Sequence, residues 1–447
     1  MFQSKTLPAV AHLLLAVQLS SLSLGDETQS RDYSPSPDER QLPLAMHSQM
    51  DERPRIRVGV TSGDLTGSDN RVLQAAVEYV AALGGGTVEI GPGEYLMHDS
   101  LHLRPSVHVV GSGQATVLKK APGTVVNLGI DGDFGEQQVT IEDGVVFGVG
   151  QGIAIWDAAA GGFHTTVARI TGKTGNTYSI DKPLMADCLI SRNAKAGTLY
   201  PVISGYDLVN SSIRNLTVDG TKETNAHLNG CRGGGIFLYR GFGTRIEDCW
   251  VKNFNGDGIS FQQSNDVVVQ NCIVEGNTEL GLHPGSGSQR PTVVNCVARD
   301  NGTDGLFLCW RVRHGKFEGN TLERNGRFGI SIGHKDTDNI LLKNIVRQNA
   351  SNGIFFRDES LGMAAHRNEI IENTIEDNGA EPGTAAIRIR GETKDLVFKN
   401  NTIRDTRSLD AQTQTVGILI EQSVHHVALE SNEIKAEKPL QDERNHN

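Results

Sequence analysis

Long hydrophobic runs are absent after the N-terminus of this sequence, and aromatic and basic residues are scarce. Only 5% of the 447 residues are aromatic, and 42 Lys and Arg stand against 53 Asp and Glu, a formal net charge of −11. The lack of a long apolar segment predicts no membrane span. The acidic balance argues against a general nucleic-acid binder, because phosphate contacts need a basic field. The 51 glycines favour a turn-rich fold over a helical bundle.

The first 55 residues predict export. Residues 1–25 combine the basic Lys5 with an apolar run and a small-residue end, the pattern of a secretory signal peptide. Residues 26–55 are rich in proline and charge, which is typical of a disordered linker. We therefore expect a secreted, periplasmic or cell-envelope protein.

One short pattern then recurs eight times at intervals of 23 to 33 residues. The first and third positions after each start are apolar, and this alternation predicts a β-strand with one buried face and outward positions two and four. Units this short leave no room for a helix, so the repeat predicts an all-β solenoid. The eight stretches start at Gly235, Gly258, Gly281, Gly305, Gly329, Gly353, Ala386 and Gly417.

A second column of small polar residues precedes another strand in each unit. We interpret it as a ladder of stacked side chains at a turn, in which amides hydrogen-bond from coil to coil and cysteine takes the same slot. Three of the six cysteines are then packing residues rather than parts of a disulfide framework. The column consists of Asn215, Cys249, Cys272, Cys296, Asn320, Asn344, Asn373, Asn401 and Asn432.

The stretch "SDNRVLQAAVEYVAALGGGTVEIGPGEYLMHDSLHLRPSVHVVGSG" predicts a helix capped by Ser68 or Asp69 and ended by glycines from Gly84. It resembles the N-terminal cap and first coils of the pectate-lyase-like superfamily. That resemblance implies an all-β, right-handed parallel β-helix (solenoid) with an N-terminal capping helix. The expected parts are the cap and first coils at 56–138, a small β insertion at 139–200 and the parallel β-helix repeats at 201–440.

The outward positions carry side chains suited to an acidic sugar chain. Aromatic rings can stack on sugars, and arginine matches a carboxylate with two hydrogen bonds. Two alternatives stand beside this interpretation: loops cover the aromatics, and Glu359, Glu392 and Glu421 neutralise the cations. The predicted binding residues are Tyr239, Phe307, Trp310, Arg388 and Arg390, with Lys335 and Arg357 on the same cationic face.

Two enzyme families have sequences that resemble parts of this repeat. The stretch from Gly276 to Arg357 resembles the catalytic module of the mannuronan epimerases, but where those enzymes have Tyr-Gly-Phe-Asp-Pro-His this chain has "LGLHPG", with His283 at the acid position and Cys309 at the second acid. The stretch "NGDGISFQQSNDVVVQNCIVEGNTELGLHPGSG" is similar to the polygalacturonases. That similarity places Asp257 and Glu279 near the sites of their acids.

These observations predict a protein that binds acidic polysaccharide, and a lyase that acts on it by β-elimination. Arg357 and Arg388 would neutralise a uronate carboxylate, while His283, His334 or Lys335 would move the proton. A calcium ion is an alternative neutralising group.

Other functions stay open at this point. The same face could serve a non-catalytic carbohydrate-binding or envelope protein, and Asp257 with Glu279 would serve a polygalacturonase-like hydrolase, which needs two carboxyl groups. Epimerisation is a further option, with His283 as base. A zinc site on His283, Cys309 and His334 is the weaker metal hypothesis, since no short ligand motif joins them.

Overall fold

The computed structural model describes residues 52–444. The predicted signal peptide and most of the predicted linker lie outside this range. Within it, the helices are too short and too polar for any of them to cross a bilayer.

A single helix closes the N-terminal end of the solenoid. It begins after Asp69, whose Oδ1 accepts a hydrogen bond from the Arg71 N–H at 2.9 Å, and Asp69 is one of the two predicted caps. Leu73, Val77 and Val80 are buried on its inner face, which covers the apolar core that an open solenoid end would expose. The elements of this end are β1 (Arg55–Gly59), β2 (Leu65–Thr66), α1 (Asn70–Ala82), β3 (Gly86–Ile90), β4 (Gly93–Met97), β5 (Leu101–His102) and β6 (Val107–Lys120).

An antiparallel insertion interrupts the coils. Its six strands form a separate sheet with a small core around Phe147 and Tyr178, whose ring centroids lie 5.6 Å apart. The sheet begins ahead of the boundary at 139 given by the sequence. Its strands are β7 (Val125–Asn127), β8 (Gln138–Thr140), β9 (Gly152–Trp156), β10 (Thr166–Thr174), β11 (Thr177–Ile180) and β12 (Lys195–Gly197), with 3₁₀ turns at Gly162–His164 and Ile190–Arg192.

The remaining strands are short and stack in parallel, and a 3₁₀ turn lies at Lys222–Thr224. They are β13 (Ile203–Tyr206), β14 (Ser212–Asp219), β15 (Ile236–Tyr239), β16 (Arg245–Glu247), β17 (Trp250–Lys252), β18 (Ile259–Gln262), β19 (Val268–Gln270), β20 (Ile273–Glu275), β21 (Leu282–Gly285), β22 (Thr292–Val294), β23 (Val297–Arg299), β24 (Leu306–Phe307), β25 (Lys316–Glu318), β26 (Thr321–Glu323), β27 (Ile330–Ile332), β28 (Ile340–Leu342), β29 (Ile345–Arg347), β30 (Ile354–Phe356), β31 (Glu369–Ile371), β32 (Thr374–Glu376), β33 (Ala385–Ile389), β34 (Lys394–Lys399), β35 (Thr402–Arg404), β36 (Val416–Ile420), β37 (His425–Glu430), β38 (Glu433–Lys435) and β39 (Lys438–Asp442).

These strands form three parallel ladders, one strand of each per coil. Sheet 1 is the 11-stranded ladder β5-β13-β15-β18-β21-β24-β27-β30-β33-β36-β39, and the other two ladders join in a 22-stranded sheet through the long strands β6 and β14. The predicted inward register is confirmed, since Ile236, Ile259, Leu282, Leu306, Ile330, Ile354, Ile387 and Ile418 are each at most 1% exposed. The chain is therefore a right-handed parallel β-helix, as the repeat and the resemblance predicted.

The predicted asparagine ladder exists. Asn320 Nδ2 donates to Asn344 Oδ1 at 2.9 Å, and Asn344 Nδ2 donates to Asn373 Oδ1 at 2.9 Å. Asn215 does not belong to it: Thr217 pairs with Trp250, which aligns Leu216 with the cysteine slot, and Asn215 adopts a left-handed turn conformation with φ of 58°. A second ladder, missed in the sequence, runs through Asn277, Asn301, Asn325, Asn349 and Asn378.

All six cysteines are unpaired, which confirms that they do not form a disulfide framework.

We expect Cys296→Asn to stabilise the protein by about 1 kcal/mol, because the new amide can donate to Asn320 Oδ1 and extend the ladder by one coil. Cys188→Asn is the matched control: Cys188 is buried in the insertion, outside any ladder, and should lose about 1–3 kcal/mol to an unsatisfied amide. Urea unfolding measures both changes. Equal destabilisation of the two variants would contradict the ladder account.

Candidate functional site

The outer face of sheet 1 carries one row of side chains, one from each strand. Residues 220–234 cover the row around Ser260 and His283, where Ser260 Oγ donates to the Gly230 carbonyl at 2.7 Å. Phe237 and His283 are therefore at most 3% exposed, and the prediction that these positions face solvent is wrong for them. The row consists of His102, Ser204, Phe237, Ser260, His283, Phe307, Ser331, Phe355, Arg388, Leu419 and Gln441.

Under this covering loop His283 forms a buried pair with Asp257. His283 Nδ1 lies 2.6 Å from Asp257 Oδ2, and Asp257 Oδ1 accepts the Leu280 N–H at 3.2 Å. Burial alone would lower the pKa of His283, but the Asp257 carboxylate outweighs it and raises that pKa to about 10. A histidine that keeps its proton at neutral pH, out of reach of solvent, is poorly placed to act as a base.

Glu279 forms an ion pair that joins its own coil to the covering loop, residues 220–234. Its Oε1 lies 3.1 Å from His227 Nε2, and both side chains are partly exposed. The ion pair with His227 lowers the pKa of Glu279 and raises the pKa of His227. Glu279 and Asp257 therefore each have a histidine partner, and Asp257 is fully buried.

Phe307 separates His283 from Arg357. The His283 and Phe307 ring centroids lie 5.5 Å apart, and Arg357 Cζ lies 4.5 Å from the centre of the Phe307 ring. Arg357 donates to Ser331 Oγ at 2.9 Å, to the Leu308 carbonyl at 2.7 Å and to Asp336 Oδ2 at 2.9 Å. Burial raises the pKa of Asp336 to about 7, although Arg357 opposes the shift. Arg357 is mostly enclosed by these contacts, and it also buries Ser331, which was predicted to face solvent.

An exposed aromatic and an imidazole stack at the edge of sheet 1. Trp310 is 44% exposed, and its ring lies 5.0 Å from that of His334, 27° from parallel. His334 Nε2 lies 2.7 Å from Glu359 Oε1. Burial, aided by the charge of Arg357, lowers the pKa of His334. Burial also raises the pKa of Glu359. The imidazole is thereby kept neutral beside an exposed ring.

The backbone that presents these groups is strained. Trp310, Arg311, His334 and Lys335 have φ of 59°, 67°, 45° and 65°, a left-handed region that costs an L-residue about 1–2 kcal/mol. The equivalent turn on the preceding coil uses Ser286 and Gly287. Arg240 and Gln263 adopt the same conformation at the equivalent turn of earlier coils, with φ of 55° and 49°, so it is a property of the repeat.

The C-terminal cations have carboxylate partners. Arg388 Nη2 lies 2.7 Å and Arg390 Nε lies 3.0 Å from Glu421 Oε1, and Arg390 Nη2 lies 3.1 Å from Asp358 Oδ2. The sequence alternative in which carboxylates neutralise this face is therefore correct for these two arginines. Lys335, by contrast, makes no ion pair within the part of the chain that the structure describes.

The structure thus divides the predicted site residues into groups. Phe307, Trp310, His334, Lys335 and Arg357 gather on neighbouring coils, whereas Asp257, Glu279 and His283 lie under or against the covering loop. Tyr239 lies on a coil nearer the N-terminus, and the centre of its ring is 5.3 Å from Arg240 Cζ. Two features of this region were not predicted from the sequence. They are the buried ion pair of Asp336 with Arg357 and the stacking of Phe328 on Phe355, with ring centroids 4.2 Å apart. Glu359 was predicted only as a neutralising charge; the long interval before Ala386 was the available signal for the loop that carries it.

No metal site accompanies these groups. Across residues 52–444, no cluster of three or more His, Cys, Asp or Glu side chains could hold an ion. The hypothesis of a zinc site on His283, Cys309 and His334 is therefore wrong. His283 is paired with Asp257 and His334 with Glu359, so the two imidazoles do not converge with Cys309 on one point.

Comparison with known proteins agrees with the geometry. The family described as "Right handed beta helix region" matches residues 215–362. Mannuronan C5-epimerase AlgE2 of Azotobacter vinelandii is 23% identical over 333 residues, which cover 71% of this chain and 24% of that protein. The chain therefore spans about a quarter of the length of this curated relative.

Two solved structures share the fold. The A-module of mannuronan C-5 epimerase AlgE4 from Azotobacter vinelandii superposes with a TM-score of 0.51 at 18% identity, covering 84% of this chain and 94% of the module. The catalytic domain of a GH87 α-1,3-glucanase has a TM-score of 0.50 at 12% identity, covering 81% of this chain and 57% of that one. These similarities show the fold of this chain, a right-handed parallel β-helix.

Proposed function

We propose that this protein acts on a uronate-containing polysaccharide lying along the exposed part of sheet 1, and that it cleaves the chain by β-elimination. The observation that carries the proposal is the stacked Trp310 and His334 pair, which sets an exposed ring beside an imidazole in contact with Glu359. The similarity to mannuronan C5-epimerases supports the uronate as substrate. We also propose, from the signal peptide predicted at 1–25, that the protein works outside the cytoplasm.

The chemistry follows from the roles of three groups. Trp310 provides a flat surface on which a sugar ring stacks. His334 takes the proton next to the uronate carboxylate, for which a neutral imidazole is required. Its Nδ1 is buried, so the accepting atom is Nε2, and the contact of Nε2 with Glu359 must open when the sugar binds. Lys335, which has no anionic partner among the described side chains, supplies positive charge to that carboxylate and so lowers the cost of carbanion character. Loss of the glycosidic oxygen at the β position then breaks the chain.

Epimerisation would begin with the same proton abstraction and differ in the next step, where a proton returns to the opposite face of the carbanion. Hydrolysis through Asp257 and Glu279 has less support, because Asp257 is buried and bonded to His283 and Glu279 is paired with His227. A binding protein without turnover would use the same aromatic surface.

Incubation with alginate, pectate and a neutral glucan distinguishes these functions. β-Elimination produces an unsaturated sugar that absorbs in the ultraviolet, hydrolysis produces reducing ends without that absorbance, and epimerisation changes the proton NMR spectrum without chain cleavage. We expect ultraviolet-absorbing product from a uronate polymer alone. Reducing ends without the absorbance, or no change in any polymer, would overturn the lyase proposal.

Trp310→Ala should weaken polymer binding by about 1–2 kcal/mol, a factor of roughly 5–30 in the dissociation constant, because the stacking surface is removed. Trp250→Ala is the matched control. Trp250 lies on β17, away from sheet 1, with Nε1 donating to Glu275 Oε1 at 2.8 Å, and its loss should leave binding unchanged. Isothermal titration with the uronate polymer measures both. Equal affinities for the Trp310→Ala variant and the unaltered protein would count against this face as the binding surface.

A further inference from the structure

A second chain of polar groups lies near the N-terminal end of sheet 1, away from the proposed lyase site. Ser204 Oγ lies 2.9 Å from His102 Nδ1, and His102 Nε2 lies 2.8 Å from Asp99 Oδ2. Ser204 and His102 are register partners on β13 and β5, and Asp99 comes just ahead of β5. With Nε2–H directed to the carboxylate, Nδ1 is free to accept the hydroxyl proton. A serine, an imidazole and a carboxylate joined in this order form the arrangement that activates a serine nucleophile.

These groups face a cavity between the coils and the insertion. It is lined by Asp99, His102, Lys182, Ser204 and Tyr206 among others. Its enclosed part has room for about one water molecule or one methyl group. Such a space admits the methyl group of an acetyl ester and excludes a sugar ring, so the carbonyl group and the rest of any substrate must lie at its mouth.

Lys182 adds a positive charge at the same cavity. It follows β11 of the insertion, and its Nζ lies 3.8 Å from the centre of the Tyr206 ring. Within the part of the chain that the structure describes, no carboxylate oxygen lies close enough to form an ion pair with Lys182. An ammonium group that lines the same cavity as a serine nucleophile can stabilise negative charge that develops on a carbonyl oxygen.

We propose that Ser204, His102 and Asp99 form an esterase site that removes acetyl groups. Ser204 Oγ attacks the carbonyl carbon of the acetyl ester, and its proton passes to His102 Nδ1. The ester C–O bond then breaks, and the alcohol leaves with that proton, so that an acetyl group remains on Ser204. Water attacks this second ester with His102 as base, which releases acetate and restores the serine hydroxyl. That the alcohol is a sugar rests on the proposed function; the ester chemistry does not.

Two assays without polysaccharide test the site. The protein should hydrolyse p-nitrophenyl acetate, and a fluorophosphonate probe should add covalently to Ser204, as located by peptide mass spectrometry. We expect Ser204→Ala to abolish labelling and to lower ester turnover at least about a hundredfold, and His102→Gln to lower turnover similarly. Since neither assay uses a uronate polymer, their outcome does not depend on the lyase proposal.

Ser100→Ala is the matched control. Ser100 lines the same cavity and is equally buried, but its Oγ bonds to the Pro201 carbonyl at 2.5 Å rather than to an imidazole. Its ester turnover and labelling should match the unaltered protein. Thermal unfolding establishes that each variant is folded. Ester turnover in folded Ser204→Ala equal to that of the unaltered protein, or a label on another residue, would overturn the proposal.

Discussion

Val346→Asp is expected to prevent folding, whereas Ile345→Asp, one residue earlier on β29, is expected to leave the fold intact. Val346 is fully buried in the core of the coil, and Ile345 is 40% exposed on its surface. An unpaired carboxylate in an apolar core costs several kcal/mol, a large share of the 5–15 kcal/mol that typically stabilises a domain. At the exposed position the same carboxylate remains in water.

Circular dichroism and thermal unfolding of the two purified variants check this expectation. Ile345→Asp should show a cooperative transition within a few degrees of that of the unaltered protein, and Val346→Asp should show none. The two substitutions place the same side chain on the same strand. The loss of β-strand propensity and the change in net charge are therefore similar in both variants. Similar transitions in both variants would mean that β29 does not have the register described.

His334→Gln is expected to lower β-elimination by about 10²–10⁴-fold while leaving the affinity for the polymer nearly unchanged. Glutamine keeps a polar group near Glu359 but cannot take a proton. The effect should therefore fall on kcat rather than on KM. In the unaltered protein, activity should persist below the ordinary histidine pKa of about 6.5, because the pKa of His334 is lowered and only its neutral form is a base.

His426→Gln serves as the control for this experiment. Its side chain is 80% exposed on β37, paired with Asp395, and its loss should not alter turnover. Rates are followed by the ultraviolet absorbance of the product over a range of pH. Full activity in His334→Gln would exclude His334 as the base, and an acid limb well above the ordinary histidine pKa would show that another group controls the reaction.

Much of the fold could be predicted because every repeat unit carries the same local pattern of apolar and small polar residues. Alternating apolar residues such as Ile330 and Ile332 determine which side of a strand is buried, and the asparagines at one turn determine how coils stack. The register failed at Asn215, where the coil leads into the irregular segment 220–234 and the spacing no longer follows the repeat.

The site was predicted less well, for a related reason. The positions of Trp310, His334 and Lys335 could be predicted, because these residues come directly after repeat strands whose inward and outward positions alternate. The three residues lie together in the structure. Asp336, by contrast, is adjacent to Lys335 in the chain, yet its partnership with Arg357 depends on how two coils pack. The burial of His283 likewise depends on a loop whose path the repeat does not specify.

By itself the sequence determined the solenoid, its inward face, the cap and the exposed edge that carries Trp310 and His334, because each of these follows from periodicity within a few neighbouring residues. Only the tertiary structure decided which outward residues stay open to solvent, which arginines are neutralised, and that Ser204, His102 and Asp99 meet. Ser204 and His102 are about a hundred residues apart in the chain. Their meeting is fixed by the stacking of coils on either side of the insertion, a non-local packing that no short stretch of sequence encodes.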